Sequence, residues 1–227
     1  MNALVSGLRF SAMTATSDEF PVSDRRDGLA DYLRSHPHPG GIVVSERSRF
    51  IYMKAPRTGG TSILRGVLER TSCDVFHFKD HRPRFERWLA ALTDEDLRDY
   101  RFFTFVRNPW DRAVSIASYF NLDFRRFAME FNRMTSTNLV LRQHALPLHM
   151  YTHIDGRSFV DFVGRFERLQ ADFDELMELI GLSRTPLPHL SNSHHDDYRS
   201  CYDSDLRTRV EELYGRDAVL FGYTFDG

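Results

Sequence analysis

The sequence predicts an α/β fold organised as one main domain, and three observations carry that expectation. Phe50 to Arg70, FIYMKAPRTGGTSILRGVLER, pass from a short apolar run through a Gly-rich loop into a helical period. Tyr100 to Tyr119 follow the same order, an aromatic-rich strand running into a helix that starts with a proline. A length of 227 residues suits a single full core.

In chain order, residues 1 to about 28 show no sustained period and read as a loosely attached arm. Leu29 to Leu33 fits a short helix, so residues 1–40 are expected as an N-terminal arm with a short helix and 41–227 as the domain. His36 to Gly41 alternates His, Pro and Gly and reads as a loop. Ile42-Val43-Val44 is expected as an edge strand pairing with Phe50 to Met53 through a turn at Ser45 to Ser48.

The loop Lys54 to Ser62 is built to hold an anion. Gly59 and Gly60 allow close backbone approach, the first N–H groups of the following helix point outward, and the helix dipole favours negative charge. Lys54 and Arg57 add positive charge, and Thr58, Thr61 and Ser62 add hydroxyls. Ile63 and Val67, with Leu64 and Leu68 beside them, give the helix its apolar face.

Val75 to Phe78 is a short apolar stretch leading to Lys79, Asp80 and His81. Helical spacing returns at Phe85, Trp88, Leu89 and Leu92, and Thr93-Asp94-Glu95-Asp96 reads as a capped helix start. Tyr100 to Val106 is expected as a central strand. It runs into Arg107-Asn108-Pro109, where Pro109 suits the first helical turn. Trp110, Val114 and Ala117 can face the core, whereas Arg112, Ser115 and Tyr119 share another face over which Arg107 can lie. Arginine forks and a serine hydroxyl at one helix start make a second anion nest.

Residues 121–157, with His144, His149 and His153, are the expected acceptor-binding wall. Phe173, Leu176, Met177 and Ile180 mark an amphipathic helix ended by Gly181. Leu187 to Ser193 reads as a loop, Asp205 to Tyr214 as the last helix, and Leu220 to Tyr223 as a closing apolar segment.

Composition excludes several classes. Hydrophobic content of 41% and charged content of 27% are those of a globular protein, and a net charge of −2 argues against nucleic acid as a partner. Cys73 and Cys201 have no metal-ligand spacing and are expected as reduced, buried thiols. No apolar run approaches the ~20 residues that span a bilayer, and the N-terminus is too polar for a signal peptide. No membrane contact and a cytoplasmic location are the default expectation.

The two nests together carry a resemblance. Lys54 to Ser62 lacks the Walker spacing, because its basic residues precede the glycines and no Lys adjoins the Thr-Ser pair. That order resembles the 5′-phosphosulfate loop, commonly Pro-Lys-Thr-Gly-Gly-Thr-Ser, of sulfotransferases that use 3′-phosphoadenosine 5′-phosphosulfate (PAPS). FVRNPWDRAVSIASYF looks like their 3′-phosphate motif, Arg-Asn-Pro-x-x-Arg-x-x-Ser, about fifty residues further on. Val163 to Glu167 resembles a late Val-Gly-Arg-Phe-Glu segment of the same family. The chain is identified as a carbohydrate-type (family 2) sulfotransferase over roughly residues 42–223.

The resemblance implies a P-loop-like three-layer fold with a central parallel sheet flanked by helices. It also implies PAPS as sulfuryl donor, no metal, and a carbohydrate or small-molecule hydroxyl or amine as acceptor. Lys54, Arg57, Thr58, Gly59, Gly60, Thr61, Ser62, Arg107, Ser115 and Ser193 are the implied cofactor-binding residues, with His189 a further candidate. Arg57 stands where the family usually has a Lys on the leaving oxygen, and Asn192 where relatives often have a Lys. Whether Lys54 or Arg57 touches that oxygen stays open. His81 is the first candidate for general base, by position against a Lys-His pair of the family, and His77 the second. A kinase-type phosphotransferase and an inactive module that only binds the nucleotide are the alternatives.

Overall fold

The computed structural model describes residues 27–35, 41–76, 82–188 and 197–227. In chain order the elements are α1 (Leu29–Ser35), β1 (Ile42–Ser45), β2 (Phe50–Met53), α2 (Gly60–Leu68), β3 (Asp74–Phe76), α3 (Arg82–Ala90), α4 (Asp94–Arg98) and β4 (Arg101–Val106). Then come α5 (Pro109–Tyr119), α6 (Phe124–Met129), α7 (Phe131–Thr137), α8 (Leu139–His144), the small hairpin β5 (His153–Ile154) and β6 (Arg157–Ser158), β7 (Phe162–Arg165), α9 (Leu169–Leu179) and α10 (Ser204–Phe221).

Five strands form the central sheet in the order β3-β1-β2-β4-β7. β2, β4 and β7 are parallel, with Tyr52 opposite Phe103 and Phe105 opposite Gly164. β1 alone runs the other way, antiparallel to both β2 and β3. The sheet is therefore mostly rather than wholly parallel. β1 is also not the edge strand that its sequence suggests, because Asp74–Phe76 pairs outside it. A three-residue strand with one fully buried side chain gives almost no period to read.

Alternation along the strands builds the layers. Ile51 and Met53, with Phe102 and Val106, join Leu29, Ile116, Val210 and Tyr214 in one core. Phe50 and Tyr52, with Phe103 and Phe105, join Ile63, Val67, Phe173 and Met177 in a second core on the opposite face. Helices thus cover both faces of an α/β sheet, the three-layer arrangement. No helix among the described residues is long and apolar enough to cross a membrane.

Local chemistry sets the helix ends. Thr93 caps α4 in a full capping box with Asp96. Asn108 caps α5 through its side-chain oxygen, with Pro109 at the first turn. The last helix is longer than expected: it runs through Gly215 to Phe221 and stops at Gly222, whose φ of 64° is left-handed. Cys201 is exposed and Cys73 half-buried, so the expectation of two buried thiols is corrected.

Candidate functional site

Because β2 and β4 are adjacent and parallel, the loops leaving their carboxyl ends emerge at the same edge of the sheet. Thr104 Oγ1 donates to the Met53 carbonyl at 2.6 Å and ties the two strand ends together. The loop after β2 then turns sharply. Arg57 has a left-handed φ of 65° and Gly59 one of 79°, and Thr58 Oγ1 donates back to the Ala55 carbonyl at 2.9 Å. Gly59 precedes α2 with no side chain to cap it.

Close packing explains Gly60. A Cβ there would lie 2.9 Å from Lys54 Cγ and Cε and 3.2 Å from the Tyr52 hydroxyl oxygen. The Lys54 stem therefore crosses the backbone at the start of α2. Burial lowers the Lys54 pKa by disfavouring its charge. The Tyr52 hydroxyl beside it is fully buried and has no hydrogen-bond partner among the described residues.

The second nest abuts the first. Arg57 Nε donates to Ser115 Oγ at 3.0 Å, and Arg107 Nη1 donates to the Arg57 carbonyl at 3.4 Å. Arg107 is nearly fully buried and grips Asp111 through Nε and Nη2 at 2.7 and 2.9 Å, with its guanidinium 4.1 Å from the Phe166 ring centroid. Arg112, also buried, donates to the carbonyls of Pro56, His144 and Leu146 at 3.2, 2.9 and 2.8 Å. It acts as a strut between the cradle loop and the chain after α8.

Aromatic rings extend the site outward. The Arg57 guanidinium carbon lies 4.8 Å from the centroid of Tyr119, which is 54% exposed. Tyr119 in turn stacks on His144 at 5.4 Å and 17°. The His144 Nδ1 lies 2.9 Å from the Val140 carbonyl, which favours the tautomer with its lone pair on Nε2. The Arg57 pKa is lowered, first by burial and then by repulsion from Arg107, with Tyr119 opposing and Arg112 adding a smaller repulsion. Cations held together against their own repulsion make a site that gains from an anion.

Lys54, Arg57, Gly59, Gly60, Thr61, Ser62, Arg107 and Ser115 thus share one edge of the sheet. Thr58 departs from its expected part as a ligand donor, since it is buried and its hydroxyl proton goes to Ala55. Arg112 likewise faces backbone carbonyls and not the nest it was expected to line. His77, His81, His189, Asn192 and Ser193 lie outside the described residues. Of the expected acceptor wall, His144 stands in the site, whereas His149 and His153 line a cavity that contains none of the cradle residues.

Sequence reasoning missed Tyr52, Asp111 and the Tyr119–His144 stack. Asp111 was legible as an i, i+4 partner of Arg107. Nothing in the sequence marked Tyr52 for the site, and Tyr119 and His144, each singled out there, carried no sign that they would stack on one another. Among the described residues no group of three or more His, Cys, Asp or Glu could hold a metal ion.

The residues present fit an adenosine bisphosphate. An uncapped helix N-terminus, a glycine whose Cβ would close the cradle, an orphaned buried hydroxyl and mutually repelling arginines all lie together. The comparisons agree with the motifs. The sulfotransferase family profile (Sulfotransfer_2) matches residues 40–224. An uncharacterized protein of Archaeoglobus fulgidus is 30% identical over 105 residues, 44% of this chain and 83% of that one. Human carbohydrate sulfotransferase 8 is 24% identical over 82% of this chain and 56% of its own length, so this chain spans about half of that relative. A solved sulfotransferase from Alicyclobacillus acidocaldarius aligns over 90% of this chain and 92% of its own at 16% identity and a TM-score of 0.41, too distant to bear on the site. With the family profile covering most of its length and both nests in place, this chain belongs to the sulfotransferase family.

Proposed function

We propose that this chain moves a sulfuryl group from PAPS to a hydroxyl or amine of a carbohydrate or small-molecule acceptor. The observation that carries the reading is the Arg57–Ser115 hydrogen bond, which joins two anion nests at neighbouring strand ends. When bound, PAPS supplies the sulfuryl group and a phosphate leaving group. Lys54, Arg57 and the first N–H groups of α2 hold the 5′ end and offset charge on the leaving oxygen. Ser115 and Arg107 hold the 3′-phosphate, with Asp111 fixing the guanidinium in place. Arg57 cannot supply a proton, so its part is electrostatic.

His81 takes the proton of the acceptor as general base. A sugar hydroxyl is the favoured acceptor, because a relative matched over most of this chain is named a carbohydrate sulfotransferase. Tyr119, 54% exposed beside Arg57, gives such a ring an aromatic contact at the edge of the site.

Thermal unfolding with adenosine 3′,5′-bisphosphate, ATP and AMP tests the donor. At 100 times its dissociation constant the bisphosphate adds about 2.7 kcal/mol of stability, and AMP at the same concentration adds much less. Stabilisation by ATP above that by the bisphosphate would replace this reading with a phosphotransferase. Binding of the bisphosphate with no transfer to any acceptor in a screen would leave a nucleotide-binding module.

A further inference from the structure

Arg112 of α5 is 1% exposed, so no substrate reaches its guanidinium from solvent. Among the described residues it forms no ion pair, and its donors go to backbone carbonyls alone. Nε donates to Pro56 at 3.2 Å, and Nη2 to His144 and Leu146 at 2.9 and 2.8 Å. The guanidinium carbon lies 5.7 Å from the Tyr214 ring centroid. A buried charge without a counterion is destabilising, and an apolar side chain of similar volume would pack without that cost. Packing alone therefore does not account for an arginine here. What the guanidinium adds is geometry, because donors fixed in one rigid plane set the spacing of the carbonyls they bind.

The segments spaced in this way lie on two sides of the site. Pro56 immediately precedes Arg57 in the cradle loop, and His144 ends α8. A second path joins the same segments. Arg57 Nε donates to Ser115 Oγ at 3.0 Å, and its guanidinium lies 4.8 Å from the Tyr119 ring, both on the helix that carries Arg112. Tyr119 then stacks on His144 at 5.4 Å. The cradle loop, α5 and the end of α8 thus close a circuit, with Arg112 its buried arm and Tyr119 its exposed one.

We propose that Arg112 is a positioning residue for sulfuryl transfer, holding the end of α8, on the acceptor side, at a fixed spacing from the loop that holds the donor. This rests on the sulfuryl-transfer reading above. In that reaction the acceptor oxygen bonds to sulfur as the bond from sulfur to the 5′-phosphate oxygen breaks. The electron pair of the broken bond leaves with the phosphate, and the acceptor proton passes to the general base. Entering oxygen, sulfur and leaving oxygen must lie in line, and a misplacement of about 1 Å costs roughly a hundredfold in rate. Arg112 touches none of these atoms; it acts through Pro56 and the backbone of His144 and Leu146. Where the spacing slackens, water takes the sulfuryl group in place of the acceptor and yields sulfate.

Arg112→Lys keeps the charge and replaces the planar fork with a single ammonium. The test measures three quantities on the full chain: transfer from PAPS to a panel of p-nitrophenyl glycosides, sulfate released to water, and the Kd of adenosine 3′,5′-bisphosphate. Expected for Arg112→Lys are turnover lowered by about ten- to a hundredfold and a larger share of PAPS lost as sulfate. The bisphosphate Kd should stay within about twofold of the parent. Tyr214→Phe is the control, since it removes the 2.9 Å bond from the Tyr214 hydroxyl to the Ala145 carbonyl, which ties down the same segment without reaching the cradle loop. It should keep both turnover and the sulfate share, whatever its melting temperature. Arg112→Gln, planar and neutral, repeats the test if the lysine variant does not fold. A Kd raised as far as turnover falls would return Arg112 to phosphate binding. An equal loss in Tyr214→Phe, an unchanged sulfate share, or failure of both Arg112 variants to fold would leave it a structural part only. Any of these overturns the proposal. A parent without transfer to any glycoside fails the sulfuryl-transfer reading itself, a result distinct from these, and the proposal falls with it.

Discussion

At the scale of single residues, Tyr52 is the most informative. Its ring stacks on Phe103 at 4.9 Å while its hydroxyl, buried and without a partner among the described residues, sits 3.2 Å from where a Gly60 Cβ would be. A buried orphan hydroxyl is destabilising until something bonds it. Tyr52→Phe is therefore expected to raise the stability of the ligand-free protein by about 1 kcal/mol and to weaken adenosine 3′,5′-bisphosphate binding by about fivefold. Paired denaturation and binding curves check both halves; a variant changed in neither removes the hydroxyl from the site. The general base is the second residue-scale question. His81→Ala should lower turnover by about two to four orders of magnitude while nucleotide binding persists. Full turnover in His81→Ala together with its loss in His144→Ala would move the base to the ring stacked on Tyr119.

At the scale of elements, the strand–loop–helix unit from β2 to α2 works because glycine stands where two other parts need the space. Gly60 is helical, so alanine there would by propensity favour the helix by up to about 1 kcal/mol. Its Cβ would nevertheless displace the Lys54 stem from 2.9 Å contacts. Gly60→Ala should then leave unfolding stability within about 1 kcal/mol of the parent and reduce bisphosphate affinity by about tenfold. Isothermal titration beside thermal unfolding separates the two effects, and unaltered affinity would show that the cradle does not rely on this approach. The β4–α5 unit was equally legible: Pro109 announces a helix start and occupies its first turn, and the structure adds Asn108 as the cap before it. Less legible was β3, too short for a period, and the extent of α10, where Gly215 lies inside the helix and does not end it.

At the scale of the whole molecule, packing sets a pH dependence that no local stretch contains. His153 is buried and faces His149 four residues before it and Arg216 and Asp217 of α10, and its folded pKa of about 4 lies below the ordinary 6.5. The unfolded chain therefore binds more protons between those values. Stability contributed by the neutral ring is present above about pH 6.5 and is lost as pH falls toward 4. Melting temperature should drop across that window, and His153→Gln should flatten the slope. An identical slope in the variant would place the titration on other groups.

Sequence by itself determined the two nests and the helix starts that carry them, because glycine, proline and capping side chains act through their nearest neighbours along the chain. The same locality let the continuous apolar runs of Phe50 to Met53 and of Phe102 to Val106 foretell buried strands. Tertiary structure decided that the nests meet, since only the parallel pairing of β2 with β4 brings Arg57 to Ser115 across 58 positions. It also decided the fates of individual arginines: Arg112 is a strut on three carbonyls and Arg107 is locked by Asp111, although the sequence placed both simply as charge beside an anion. The physical reason is that a guanidinium takes whichever acceptors the fold brings within about 3 Å, and those acceptors are set by packing between elements.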